Sequence, residues 1–143
     1  EQDNGPDIFI HKTDIIGDIL KEGDKVVGMG IVDPEQEKNT TLLVVTSNGY
    51  GKQSPIKEYK QQSRGGSGIK TANVTKKTGE IIGSMILDDE VLTIKNDLMA
   101  ISKAGQTIRL PLKSVSKLGR ATQGVRIMRF KEPNDTVSSV TLV

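Results

Sequence analysis

Three observations predict an all-β protein of antiparallel, four-stranded, propeller-like blades, in an array too short to close. They are a repeat of fixed period, short aliphatic segments split by turn residues, and a modest apolar content. The period comes first, because it decides architecture before local detail does. Leu42-Leu43-Val44-Val45-Thr46 returns as Leu98-Met99-Ala100-Ile101-Ser102, 56 positions later, and Gly49 returns as Gly105 at the same offset. Arg64, Gly68 and Ile69 return as Arg120, Gly124 and Val125, again 56 apart. A fainter trace joins Lys25-Val26-Val27-Gly28, Glu80-Ile81-Ile82-Gly83 and Thr136-Val137-Ser138-Ser139. The chain therefore divides into one repeat over 24–80 and a second over 81–143 that holds the start of a further unit. A partial or divergent unit over 1–23 precedes them.

The segments within each repeat read as strands. Leu42–Thr46, Ile69–Val74, Ile81–Leu87, Leu98–Ser102, Thr107–Leu110, Val125–Phe130 and Val137–Val143 are short and rich in β-branched or aliphatic residues. Asn48-Gly49 is a two-residue hairpin signal, since both residues tolerate positive φ. Asn96-Asp97, Ala104-Gly105 and Pro133-Asn134-Asp135 read as further turns. Ser54–Tyr59 and Pro111–Ser116 each begin near a proline and predict single helical turns. Only 34% of the residues are hydrophobic, too few for one thick core, which favours thin sheets stacked side by side. A four-stranded unit of about 55 residues is blade-sized, and one blade needs neighbours to cover its faces.

Charge follows the repeat. The net charge of +2 hides four bases against ten acids in residues 1–40, and sixteen against eight in 41–143. Residues 52–77 hold seven bases and one acid, Glu58, and residues 103–131 hold eight bases and no acid. Segments of equal phase occupy equivalent places in successive blades, so these loops are expected to line one curved rim. Such a rim suits duplex DNA, whose phosphates release counterions when neutralised. A solvated surface, or a guard against edge pairing, explains any one lysine-rich loop. Two loops in phase, one without acids, favour a polyanion.

Gln62-Ser63-Arg64-Gly65-Gly66-Ser67-Gly68 is the sharpest local motif, because three glycines in four positions let the backbone approach a ligand closely. Its counterpart, Leu118-Gly119-Arg120-Ala121-Thr122-Gln123-Gly124, keeps the arginine and the last glycine. For that arginine, phosphate contact and a structural bond to a neighbouring blade's carbonyls both fit. The expected DNA-contacting set is Lys52, Lys57, Lys60, Arg64, Gly65, Gly66 and Lys70 in the first repeat. In the second it is Lys103, Arg109, Lys113, Lys117 and Arg120.

Catalytic chemistry is poorly provided for. Cysteine is absent, which excludes disulfides and thiolate metal sites. His11 is the single histidine, so no histidine-based triad or metal cluster can form. Asp88-Asp89-Glu90 reads as a solvated turn, since adjacent carboxylates on a strand point to opposite sides. There is no P-loop. No apolar run approaches the roughly 20 residues that span a bilayer. The acidic N-terminus, Glu-Gln-Asp-Asn-Gly-Pro, does not read as a signal peptide. A soluble intracellular chain, without membrane contact, is the expectation.

Leu43 through Lys52, Tyr59 through Ile69, and Thr78-Gly79-Glu80-Ile81-Ile82-Gly83 together resemble a blade of the DNA gyrase A C-terminal domain. Gly119-Arg120-Ala121-Thr122-Gln123-Gly124-Val125-Arg126-Ile127-Met128-Arg129 is similar to that family's blade-ending pattern. The resemblance covers roughly 24–143 and implies the family's β-pinwheel, a six-bladed disc with strands exchanged between blades, of which about two and a half blades are present. It implies that double-stranded DNA is bent around a basic rim, contacted without regard to sequence. The implied partners are the rest of gyrase A and the gyrase B subunit, in the cytoplasm at the nucleoid. ATP and magnesium belong to that full complex, and this part would have no catalysis or cofactor of its own. The family's wrapping box reads Gln-Arg-Arg-Gly-Gly-Arg-Gly. Ser63 and Ser67 stand where its outer arginines are, so 62–68 resembles the box's relative in one of the last blades. Neither tyrosine resembles the family's DNA-cleaving context. The topoisomerase IV A subunit is the close relative. A propeller fragment that binds protein instead, or pairs with a second copy through exposed blade edges, is the competing expectation.

Overall fold

A computed structural model describes residues 26–62 and 68–143. Expectations that fall on 1–25, including His11, and on 63–67, including Arg64, Gly65 and Gly66, lie outside the described residues.

The chain forms β1 (Thr41–Thr46), β2 (Tyr50–Pro55), a 3-10 turn (Ile56–Glu58), β3 (Ile81–Leu87), a short helix α1 (Asp89–Ile94), β4 (Asp97–Ser102), β5 (Thr107–Pro111), a second 3-10 turn (Leu112–Ser114), β6 (Val125–Arg126) and β7 (Val137–Leu142). Two antiparallel sheets result, ordered β3-β1-β2-β6 and β5-β4-β7. The period is visible in the coordinates. β4 starts 56 residues after β1, β7 starts 56 after β3, and the 3-10 turns begin 56 apart, each behind a proline. Even the register irregularity recurs, at Val45/Thr46 and at Ile101/Ser102.

Sheet membership does not follow the linear repeats, because β3 and β6 of the first sheet both come from the second repeat. β6 crosses back and pairs Arg126 with Tyr50 and Val125 with Gly51. Beyond it, the N–H groups of Ile127 and Met128 both donate to the Gly49 carbonyl, so pairing ends at the turn. The strand expected over Val125–Phe130 is thus two residues long. The strand expected over Ile69–Val74 is absent for a related reason. Ile69-Lys70 lies one period before β6, and no earlier hairpin is there to receive it among the described residues.

Hairpin chemistry also differs from expectation. Thr46 O accepts from Gly49 N at 3.0 Å, and Ser102 O from Gly105 N at 3.0 Å. Only the glycines have positive φ, +78° and +84°. The first loop is three residues long and the second four, and each places a left-handed glycine third, the alternative to the two-residue turn. Asn48 is therefore free to act through its side chain, which donates to the Lys76 and Lys77 carbonyls. Asn96-Asp97 is no turn, since Asp97 opens β4. At Asn134 the expected turn does place a non-glycine residue at φ 62°.

β2, Tyr-Gly-Lys-Gln-Ser-Pro, was not among the expected strands, yet it is almost wholly buried. α1 replaces the turn expected at Asp88-Asp89-Glu90. Asp88 caps it by accepting from Val91 N at 2.7 Å, which satisfies one of the first-turn donors.

β1 is buried on both faces, which explains its unbroken apolar run. Leu43 and Val45 meet Leu98, Leu112 and Val115 between the sheets, while Leu42 and Val44 pack outward on Val32, Ile56 and Ala72. In the second sheet Leu98 and Ala100 point inward. Alternation turns Met99, Ile101 and Arg109 outward, and Ile101 and Val143 are exposed there. Unlike the first sheet, the second has no fourth strand beside β5 among the described residues.

Candidate nucleic-acid interface

Lys52 occupies the middle of β2 and is only 1% exposed. Its Nζ donates to the carbonyls of Gly119 and Arg120 and to Thr122 Oγ1. Burial pushes this ammonium down to about 8, against the opposing pull of the Glu58 carboxylate and assisted by nearby Arg120. All three donor positions are used inside the fold, so the expected phosphate contact by Lys52 gives way to a structural tie.

Arg120 belongs to the same junction. Its backbone N–H donates to Glu58 Oε2 at 2.9 Å, and its Nη1 to the Lys70 carbonyl at 3.0 Å. The Nη1 bond is the structural one of the two roles open to this arginine. Gln53 and Ser54 add to the junction through Leu112, Val115 and Leu118 carbonyls. The turn at 118–124 is thereby fastened to the first hairpin at many points.

Arg109 lies on the outward face of the second sheet, its Nε 2.7 Å from Asp97 Oδ2. Lys52 and Arg120 thus meet at one junction, while Arg109 is paired with Asp97 on the second sheet.

Other basic groups do converge. Lys57 and Lys117 are exposed and share a shallow concavity of about 450 Å³ with Lys38, at the Pro55 end of β2. Asp89 is the carboxylate there. Lys60, Lys70, Lys103 and Lys113 are exposed as well. Lys70 Nζ is 3.2 Å from Asn73 Oδ1, Lys103 sits in the β4–β5 turn, and Lys113 lies on the second 3-10 turn.

A second gathering stands at the other end of β2, roughly 17 Å away at about 3.3 Å per residue. Lys77, Arg126 and Arg129 line a concavity of about 270 Å³ with Asn48, Met128, Phe130 and Asp135. Arg126 Nη2 donates to the Tyr50 hydroxyl at 2.9 Å and its guanidinium carbon lies 5.1 Å from the ring centroid. Lys77 Nζ is 5.8 Å from the same centroid. Counting charge by segment included these three bases without singling them out. The available signal was Tyr50, an aromatic directly after the hairpin turn, with β6 folding back onto it.

Among the described residues no group of three His, Asp or Glu could hold a metal, and no helix is long and apolar enough to cross a membrane.

A family model described as "DNA gyrase C-terminal domain, beta-propeller" matches residues 20–33, 40–88 and 96–143. The DNA gyrase A protein of Staphylococcus epidermidis is 44% identical over 124 residues, which is 87% of this chain and 13% of that protein. The chain thus spans about an eighth of that relative. A solved DNA gyrase A C-terminal domain superposes with a TM-score of 0.63 at 24% identity, over 75% of this chain and 34% of that one. A topoisomerase IV C-terminal domain does so with 0.64 at 24%, over 78% and 32%. Those two likenesses carry the fold, an unclosed array of the same antiparallel sheets. The family match covers more than half of the sequence, and the chain belongs to the DNA gyrase C-terminal domain, beta-propeller family.

Proposed function

We propose that this chain is a duplex-DNA-contacting, DNA-wrapping module of a gyrase A protein, with no catalysis of its own. One observation carries the reading. Residues 103–131 contain eight bases and no acid, and among the described residues only Arg109 forms an ion pair. Exposed bases with neither a carboxylate nor a carbonyl partner remain available to phosphates. The contacts would be made by exposed groups such as Lys57, Lys117, Lys60 and Lys113, and by Arg64, Gly65 and Gly66. In the intact enzyme the partners are the rest of gyrase A and the gyrase B subunit, in the cytoplasm at the nucleoid. ATP and magnesium enter only in that complex.

The test is a salt titration of binding to a fluorescent duplex. Each neutralised phosphate contributes a slope of about −0.9 in log K against log[salt], so several contacts give a steep line. Binding indifferent to salt removes the reading. Lys117→Gln is expected to flatten the slope by about 1 and to weaken all duplex sequences alike, since phosphate contacts carry no base information. A loss confined to some sequences contradicts it.

A second reading rests on the β5 edge, which no strand covers among the described residues, and on the exposed Ile101 and Val143 elsewhere on the same sheet. Open edges invite strand pairing, so a second copy would add its own edge strand there. A dimer in sedimentation that has no affinity for DNA favours this alternative.

A further inference from the structure

The concavity at the Tyr50 end of β2 has features that the general basic character of the surface does not require. Tyr50 is 5% exposed, a fixed plate at the start of the strand. Arg126 is held on it twice, by the hydroxyl bond and by stacking, and the Tyr50–Arg126 pairing of β2 with β6 sets its position. Lys77 approaches the same ring from the 76–79 turn, which the Asn48 side chain ties down through the Lys76 and Lys77 carbonyls. Arg129 lines the same hollow. None of these three bases has a carboxylate within ion-pair distance among the described residues. Asp135 is the only acid lining the hollow, and its Oδ1 is taken by Ala104 N and Thr136 N. Three cations against one carboxylate repel one another unless an anion sits between them. A planar guanidinium held in place matches the oxygens of a phosphate, beside an ammonium acting as a point charge.

We infer that Lys77, Arg126 and Arg129 form a binding site for one phosphate group, a backbone phosphodiester when DNA is bound, with Tyr50 as the positioning residue that aims Arg126. The diester form of the ligand rests on the DNA-binding reading. The site exists once among the described residues. One period later Gln106 replaces Tyr50, Pro133 replaces Lys77, and Gln106 spends its amide on the Arg129 carbonyl and the Lys131 N–H.

The experiment uses the whole chain, Lys77→Gln/Arg126→Gln, and Tyr50→Phe, which keeps the ring and removes the hydroxyl. Duplex binding is measured across a salt series, with thermal unfolding of each variant alongside. The double variant is expected to bind about tenfold more weakly and to lose about 0.9 of slope, one phosphate and not two. Tyr50→Phe is expected to weaken binding severalfold at unchanged slope and unchanged unfolding temperature, which a purely structural role would not produce. A double variant that binds DNA like the parent overturns the site while leaving the DNA reading intact. If the parent ignores duplex DNA, the DNA reading fails and inorganic phosphate decides the site. A shift of the Arg126 Nε–H resonance on phosphate titration, lost in the double variant, upholds it, and no shift overturns it.

Discussion

Replacing Gly49 with alanine is expected to lower the free energy of unfolding by about 3 kcal/mol or more, while the same replacement at Gly105 lowers it by about 1 kcal/mol. The two glycines hold the same place in successive repeats and have nearly the same backbone, φ +78° and +84°. An alanine in the left-handed region costs about 1–2 kcal/mol in either. Their surroundings differ. A Cβ at Gly49 would stand 2.5 Å from the Met128 carbonyl oxygen, whereas at Gly105 nothing lies within 4 Å. That oxygen is backbone of the returning segment, which cannot rotate away as a side chain would. Its neighbours Ile127 N and Met128 N donate to Gly49 O, so any retreat also breaks those bonds. Gly124 meets Gly51 from the opposite side of the seam, with its own Cβ position 2.8 Å from Gly51 O. Denaturant unfolding of the two variants measures the difference. Equal losses would show that β6 and the segment after it do not press on the first hairpin in solution.

That contrast also marks the limit of what the sequence discloses. The offset of 56 predicts which segments are equivalent, because repeated packing demands repeated aliphatic positions. β1 and β4, β3 and β7, and both 3-10 turns follow from it. It does not say which hairpin a strand joins, and β6 joins the one before its own. β2 escaped recognition because its centre, Lys52-Gln53-Ser54, is polar. Those side chains are buried only because they bond to backbone of the 112–122 stretch, some 60 to 70 positions later. For the interface, a count of charges by segment was sound about which stretches are basic and poor about which bases are free. Lys52 Nζ and Arg120 Nη1 bond to carbonyls and Arg109 Nε to Asp97, while Lys77, Arg126 and Arg129 face a hollow. Whether a cation meets a carbonyl or solvent is decided by chain reversals that composition does not register.

Lys52 carries the second large effect. Lys52→Glu is expected to cost about 4 kcal/mol of stability, since it places a buried carboxylate against two carbonyl oxygens and near Glu58. Any loss of DNA binding by that variant would therefore track unfolding, and binding measured on its folded fraction should equal the parent's. Lys52→Met tests the charge more finely. The folded ammonium titrates near 8, below its ordinary 10.5, because burial disfavours the charged form. Between these values the unfolded chain holds a proton that the folded chain has released, so stability rises with pH across the window. From pH 8 to 10 the gain is about 2 kcal/mol at 1.36 kcal/mol per unit. Tyr59 acts in the opposite sense at higher pH: burial raises its phenol above 10, and the stability this lends is lost as pH climbs further. Stability of the parent is therefore expected to peak near pH 10. The Met variant lacks the rising limb, so its deficit relative to the parent should widen by about 2 kcal/mol over the same window. Guanidinium midpoints at pH 8, 9 and 10 measure this, and a deficit that stays constant would mean that the ammonium inside the junction is as well solvated by its carbonyls as by water.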